Sequence, residues 1–178
     1  MLALLWYCEA RRAARRMTTG DYVPLSEQDT SRWDAAMLEL ADRTLAEASR
    51  LQQLGPWQLE AAIQSLHVSR RRDGRRDDAL LVQLYTGLVQ LAPSLGAKVA
   101  RASAVGAAFG TEEGLRTLEA IEGADAYQPW WAVRAELLRR AGRLPEARLC
   151  FERAAGLSTD DAVRRWLLRQ REALELPA

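Results

Sequence analysis

Lysine is almost missing from this sequence. Lys98 stands alone, so nearly all positive charge is carried by arginine. His67 is the only histidine, and Cys8 and Cys150 are the only cysteines. Each scarcity excludes a class of chemistry. One histidine with no second histidine or cysteine at ligand spacing excludes the common zinc sets. It also leaves no serine or cysteine nucleophile with a base, and no serine sits in a GxSxG turn. No glycine-rich stretch has the spacing that cradles phosphate. Acidic pairs such as Glu112-Glu113 and Asp160-Asp161 fall at expected helix starts, where the helix dipole explains them. The cysteines are far apart and form no CxxC, so they read as reduced, buried thiols of a cytosolic protein. Long apolar runs are also missing. Leu2 to Tyr7 is too short to span a bilayer, and its positive charges follow it, unlike those of a signal peptide. The expectation is a cytoplasmic, non-catalytic protein with no cofactor, no metal site and no membrane attachment.

What is present suits one soluble helical domain with a sizeable core. The 178 residues are 48% hydrophobic and 28% charged, with a net charge of +1. That balance argues against nucleic-acid or membrane binding through the whole surface. The clearest unit is Leu144 to Ala154, a helix with Ala147, Phe151 and Ala154 on one face. Trp131, Ala135 and Leu138 share a face of the preceding helix, and Gly142 separates the two. Small residues let such helices approach while large ones fill the gap between them. The order tryptophan, small, leucine, glycine, small, aromatic, small resembles a tetratricopeptide (TPR) unit. Ala147, Phe151 and Ala154 are echoed by Gly114, Leu118 and Ile121, by Leu81, Tyr85 and Leu88, and more faintly by Ala41, Leu45 and Ala48. The steps are 33, 33 and 40 residues. Such a period marks an α-solenoid of antiparallel helix pairs, in which each repeat needs its neighbours to bury its apolar face.

Taken along the chain, the pattern predicts a first helix from about Met1 to Met17, with Leu2, Leu5, Trp6, Ala10, Ala13 and Met17 as its apolar stripe. An uncapped start on that stripe suggests that something longer precedes it. Pro24 and Thr18-Thr19-Gly20 forbid helix over Thr18 to Gln28. Asp29, Thr30 or Ser31 then caps a long helix carrying Trp33, Met37, Leu40 and Leu51. Gly55-Pro56 opens the next, with Leu59, Ile63, Leu66 and His67, where a lone histidine reads as a packing residue. Val68 to Arg76 reads as a charged loop. Asp77 and Asp78 open a helix that stops before Pro93. Leu95 to Phe109 is alanine- and glycine-rich and permits very close packing. Thr111 caps its partner. A final helix from Thr159 to about Leu176, with Val163, Trp166, Leu167, Gln170 and Leu174 inward, suits the cap of a solenoid.

A wider resemblance rests on motifs kept in order over almost the whole chain. These are Glu9 to Arg15, Glu27 to Asp34, Gly55 to Ile63 with His67 after it, Leu91-Ala92-Pro93-Ser94, and Ala135 to Arg140. Together they resemble the TPR-like C-terminal extension of one group of extracytoplasmic-function RNA polymerase sigma factors. The sequence departs from that pattern at Cys8, Thr30 and Ala100. The resemblance implies a regulatory domain acting on the sigma domains or the polymerase core. It also implies that the promoter-reading and polymerase-binding domains precede this region. Those domains are not in the sequence, so the chain is expected to be a fragment, a separated reading frame or a stand-alone relative. The alternative class is an independent TPR-like adaptor that binds a peptide or protein. Direct nucleic-acid contact through Arg70 to Arg76 is a weaker third.

Two groups of residues are candidates for function. Arg15 and Arg16, with Arg70, Arg71, Arg72, Arg75 and Arg76, would gather on one edge as a basic rim for an acidic protein surface, because both insertions join the first helix of a pair to its second. The competing reading is that these arginines complement helix dipoles and sit in water. The second group is Arg11, Arg12, Asp29, Arg32, Trp33 and His67. It would form a structural network joining the first two helices, with ion pairs through Asp21, Glu27 or Asp29.

Overall fold

Apolar periodicity becomes helix over most of the chain. The computed structural model describes residues 1–174. Among them are nine α-helices and three 3-10 turns, with no strand beyond a single bridge between Arg16 and Tyr22. The helices are α1 (Leu2–Ala10), α2 (Ala35–Arg50), α3 (Pro56–Asp73), α4 (Asp78–Leu91), α5 (Leu95–Ala108), α6 (Thr111–Glu119), α7 (Gln128–Arg140), α8 (Leu144–Leu157) and α9 (Asp161–Ala173). Their starts follow from side-chain chemistry. Asp34, Asp77, Ser94 and Asp160 each accept a backbone N–H of the following first turn, which otherwise lacks a helical partner. Pro56, Pro129 and Pro145 sit in first turns, where a missing N–H costs nothing. The expected end of the last helix at Leu176 lies outside the described residues.

The chain divides into two compact units, Met1–Ala92 and Pro93–Ala178. In the second unit α5 packs on α6 and α7, α6 on α7, α7 on α8, and α8 on α9. Trp131, Ala135 and Leu138 of α7 join Ala147, Phe151 and Ala154 of α8 in one core, with Leu118 of α6 and Leu167 of α9. Ala147, Ala154, Leu118, Leu138 and Leu167 have no exposed surface. Each buried leucine contributes about 1.5–3 kcal/mol. The α7–α8 turn is closed by Gly142 at φ 75°, with Arg143 N–H donating to the Leu138 carbonyl and Gly142 N–H to that of Arg139. This left-handed glycine closure satisfies carbonyls that the helix end leaves free.

The alanine- and glycine-rich α5 meets α6 backbone to backbone. A Cβ built on Gly114 would lie 2.7 Å from Gly106 Cα and 3.0 Å from Gly106 N. Leu137 of α7 covers the same spot, 3.1 Å from that Cβ position.

In the first unit α1 packs on α2 and α3, α2 on α3, and α3 on α4. Three sequence expectations are corrected here. The first helix ends at Ala10, followed by a 3-10 turn over Arg12–Ala14. Its buried stripe is Ala3, Tyr7, Ala10 and Ala14, whereas Leu2, Leu5 and Met17 are exposed. Small alanines allow α1 to lie close against its neighbours, and Tyr7 fills the remaining gap. Second, α2 starts after Asp34, and Asp29 caps only the 3-10 turn Thr30–Arg32. Third, residues 68–73 are the last turns of α3, not a loop. Arginine is a good helix former and favours the negative end of the dipole. Gly74, at φ 69°, ends the helix.

Two substitutions test this packing. Gly114→Ala must push α6 off α5, and Ala154→Leu must overfill the α7–α8 core. Each should cost about 1–3 kcal/mol in urea denaturation. An unchanged midpoint for either would mean that the helices meet elsewhere.

Candidate functional site

The arginine-rich end of α1 leaves four carbonyls, those of residues 7–10, without helical donors. All four find one. Arg11 Nε donates to the Tyr7 carbonyl at 3.1 Å, and Arg15 to that of Cys8 at 3.0 Å. The Arg11 backbone N–H caps Glu9, and Asp34 N–H reaches Ala10 at 2.9 Å. The last bond brings the start of α2 against the end of α1. Arg32 continues the pattern from the returning segment, donating to the carbonyls of Ala13 and, at 3.4 Å, Arg16. Trp33, 7% exposed, packs beside it in the α1–α2 core.

The segment between these helices is more ordered than its sequence suggests. Met17 N–H bonds to the Asp21 carbonyl and Val23 N–H to that of Arg15, with Gly20 turning at φ 84°. Arg71, on the last turns of α3, donates to the Gln28 carbonyl at 2.9 Å. Thus the two stretches singled out as insertions do meet, through a guanidinium and a main-chain oxygen.

At Asp29 and Arg12 the expected ion-pair network takes a different form. Asp29 turns its carboxylate to the N–H and hydroxyl of Ser31, at 2.9 and 2.7 Å, and those bonds hold its pKa below the usual carboxylate value. Arg12 pairs with Glu9 on its own helix at 2.9 Å. Arg11 is buried and also donates to Gln64 of α3. Burial first, and the neighbouring Arg15 second, lower its proton affinity. Beside it the wholly buried Tyr7 donates to the Asp42 carboxylate of α2. Burial and that carboxylate together raise the phenol's pKa. Tyr7, Asp42 and Gln64 were not among the site residues expected from the sequence. A tyrosine one turn before an arginine, inside an otherwise apolar helix, is the signal that could have found them.

His67 lies deeper in α3, 3.4 Å from the hydroxyl of Tyr85 on α4. Burial, then the charges of Arg11 and Arg70, push its pKa down to about 4. It is therefore neutral at physiological pH. Burial and the Glu60 charge push Tyr85 up to about 12.

The basic run is partly self-neutralised. Arg70 and Arg76 both reach Asp78, each at 3.0 Å, and Arg72 pairs with Asp73 at 3.0 Å. The bond to Arg72 holds the Asp73 carboxyl below its usual pKa. Arg16 donates to the Gly20 carbonyl at 3.4 Å. Arg72 and Arg75 remain exposed on either side of Gly74. Among the described residues no group of three or more His, Cys, Asp or Glu is placed to hold a metal ion, and no helix is long and apolar enough to cross a membrane.

Residues 1–49, which hold α1, the returning segment and most of α2, match DUF6596, a family of unknown function. An uncharacterized protein of Rhizobium meliloti (strain 1021) is 34% identical over 161 residues, an alignment that takes in 90% of this chain. The chain spans only 38% of that relative's length. No solved structure matches the chain.

Two measurements check the site. Arg11→Met leaves the Gln64 oxygen and the Tyr7 carbonyl without their donor and should cost about 1–3 kcal/mol. Arg12→Ala removes only a surface pair and should cost well under about 1 kcal/mol. Equal losses in chemical denaturation would refute the difference in role. The second concerns pH. His67 binds its proton less readily folded (about 4) than unfolded (about 6.5), so stability is full above that unfolded value and falls as pH drops towards 4. The loss over that window should reach about 2–3 kcal/mol. His67→Gln should flatten it, and an identical slope in the variant would show that His67 is not buried.

Proposed function

We propose that this chain is a non-catalytic, TPR-like interaction domain, comparable to the C-terminal extension of an extracytoplasmic-function sigma factor. In this reading it modulates transcription initiation by contact with sigma domains or with the polymerase core. The observation that carries the proposal is the Arg71 bond to the Gln28 carbonyl. It draws the returning segment and the end of α3 into one rim, on which Arg72 and Arg75 stand exposed. Arg70 and Arg76 hold Asp78 and so shape the turn, while Arg15 and Arg32 fasten the segment beneath. A rim with exposed guanidinium groups, of which Arg72 holds only the surface carboxylate of Asp73, suits an acidic protein surface, because arginine pairs carboxylates two bonds at a time. The half-buried His67, its pKa pushed down to about 4, is too weakly basic and too enclosed to serve as a general base. The match of residues 1–49 takes in the returning segment of this rim but not its arginines at 70–76.

The test is binding to separately expressed sigma domains at low salt, where such contacts are strongest. Arg72→Ser with Arg75→Ser should weaken binding by about tenfold or more while the fold is kept. Serine at Arg71 should weaken it too, with increased mobility of residues 18–28. Undiminished affinity in the double variant would remove this rim as the docking surface.

A further inference from the structure

The outer face of α1 is apolar and uncovered. From Leu2 to Cys8 the helix carries seven consecutive non-polar residues, of which Ala3 and Tyr7 are buried in the core and Leu4 and Trp6 pack half-buried against it. Leu2 and Leu5 are each 54% exposed, and Met1 68%. Trp6, only partly buried, keeps its indole N–H out of solvent and without a hydrogen-bond partner. A helix apolar on all sides is characteristic of one that is covered on all sides. Leu2, Leu5, Trp6 and Cys8 line a shallow groove of about 370 Å³ whose other end is formed by Arg12, Arg15 and the carboxylate of Glu9, a net positive set.

We propose that this groove is a second docking surface, shaped for an acidic amphipathic helix of a partner protein. Leu5 and Trp6 each lie one helical turn from Leu2 and, side by side, offer a seat to leucine-class side chains of a partner helix. The charge at the end of the groove selects the partner's sign. Arg15 spends one N–H on the Cys8 carbonyl, a neutral acceptor, so its charge is uncompensated there. Arg12 is 78% exposed, and its pair with Glu9 is a surface pair that contributes little and exchanges readily. The same charges disfavour a second copy of this chain. Antiparallel α1 helices would set Arg12 and Arg15 against the positive N-terminal end of the other helix, and parallel ones would set arginine against arginine. A concave groove also accepts a rod better than a lipid surface, which takes a projecting apolar ridge. This surface shares Arg15 with the base of the rim but includes neither of the rim's exposed arginines, Arg72 and Arg75.

The experiment titrates the full chain with a designed helical peptide carrying leucines at i, i+3, i+4 and i+7 and glutamates on its flanks. A second peptide has lysine at every glutamate. Backbone amide NMR should show shifts confined to residues 2–15 and their neighbours. The acidic peptide should bind about tenfold or more tightly than the basic one. Leu5→Glu should abolish binding, and Arg12→Glu should weaken it several-fold, with unchanged circular dichroism in both variants. Leu5→Glu should leave sigma-domain binding intact, which separates this claim from the rim. The proposal is overturned by any of several results: no binding, equal affinity for the two peptides, or full affinity in the arginine variant. A concentration-dependent dimer broken by Leu5→Glu, or preferential binding to phosphatidylserine vesicles, would replace it with the competing occupant.

Discussion

The first unit depends on how the end of α1 disposes of its carbonyls. A helix end buried without donors would cost more than the local packing returns, because each unpaired polar group carries its desolvation penalty. Here the donors come from three places: Arg11 and Arg15 on the continuing chain, and the backbone of Asp34 where the chain returns. Satisfying the helix end therefore fixes where α2 must start. The segment between them has to turn back within a short span, which the hairpin around Gly20 accomplishes. Arg32 and Arg71 then fasten that segment from both sides. Arginine suits the task because its fork offers several donors in a fixed plane and stays charged when half-buried.

Inside this frame sits a small polar cluster. Tyr7 holds Asp42, and Arg11 holds Gln64, so α1 is tied to α2 and to α3 by separate bonds. Such buried polar contacts contribute modestly to net stability and strongly to register, since a slip by one residue would leave each group unpaired. The apolar part of the same interface is mostly alanine. Alanine allows many sliding positions at similar energy, so the polar ties select one of them. The second unit adds to its polar ties, Trp130 Nε1 to the Leu118 carbonyl at 3.0 Å and Arg134 to Glu119 at 3.2 Å, a packing of large against small that fixes register by shape. Its glycine pair at Gly106 and Gly114 permits one close approach, and Phe151 fills one gap.

That contrast explains which parts were legible from the sequence. Around α7 and α8 the large and small residues alternate at helical spacing, and Gly142, Pro129 and Pro145 punctuate them. There, face, boundary and partner helix all follow from pattern. In α1 nearly every residue is apolar, so periodicity cannot choose a face, and the leucines were preferred over the alanines that the structure buries. The run Ser69 to Arg76 is polar throughout and looked like a loop. Only Gly74 marks where the helix stops. The members of the candidate site were visible as an arginine cluster beside Asp29, Arg32 and Trp33. Their partners were not. A carboxylate is visible in a sequence, whereas a main-chain carbonyl is present at every residue and becomes a partner only once the backbone is folded. Arginines that bond to carbonyls are thus systematically misread as half of an ion pair.

Native-state hydrogen exchange tests the central claim most directly. If the carbonyls at the end of α1 organise the first unit, the amide of Asp34 is held by that end directly, and that of Val23 through Arg15, whose side chain is fixed to the Cys8 carbonyl. They should then exchange with the same opening free energy as the last turn of α1, although they lie outside any helix. The arginine side chains that bridge to Cys8, Ala13 and Gln28 should keep residues 17–33 protected as one block. Exchange of Asp34 and Val23 at unprotected rates, with α1 still protected, would show that the returning segment is only laid against the helix and that the account is wrong.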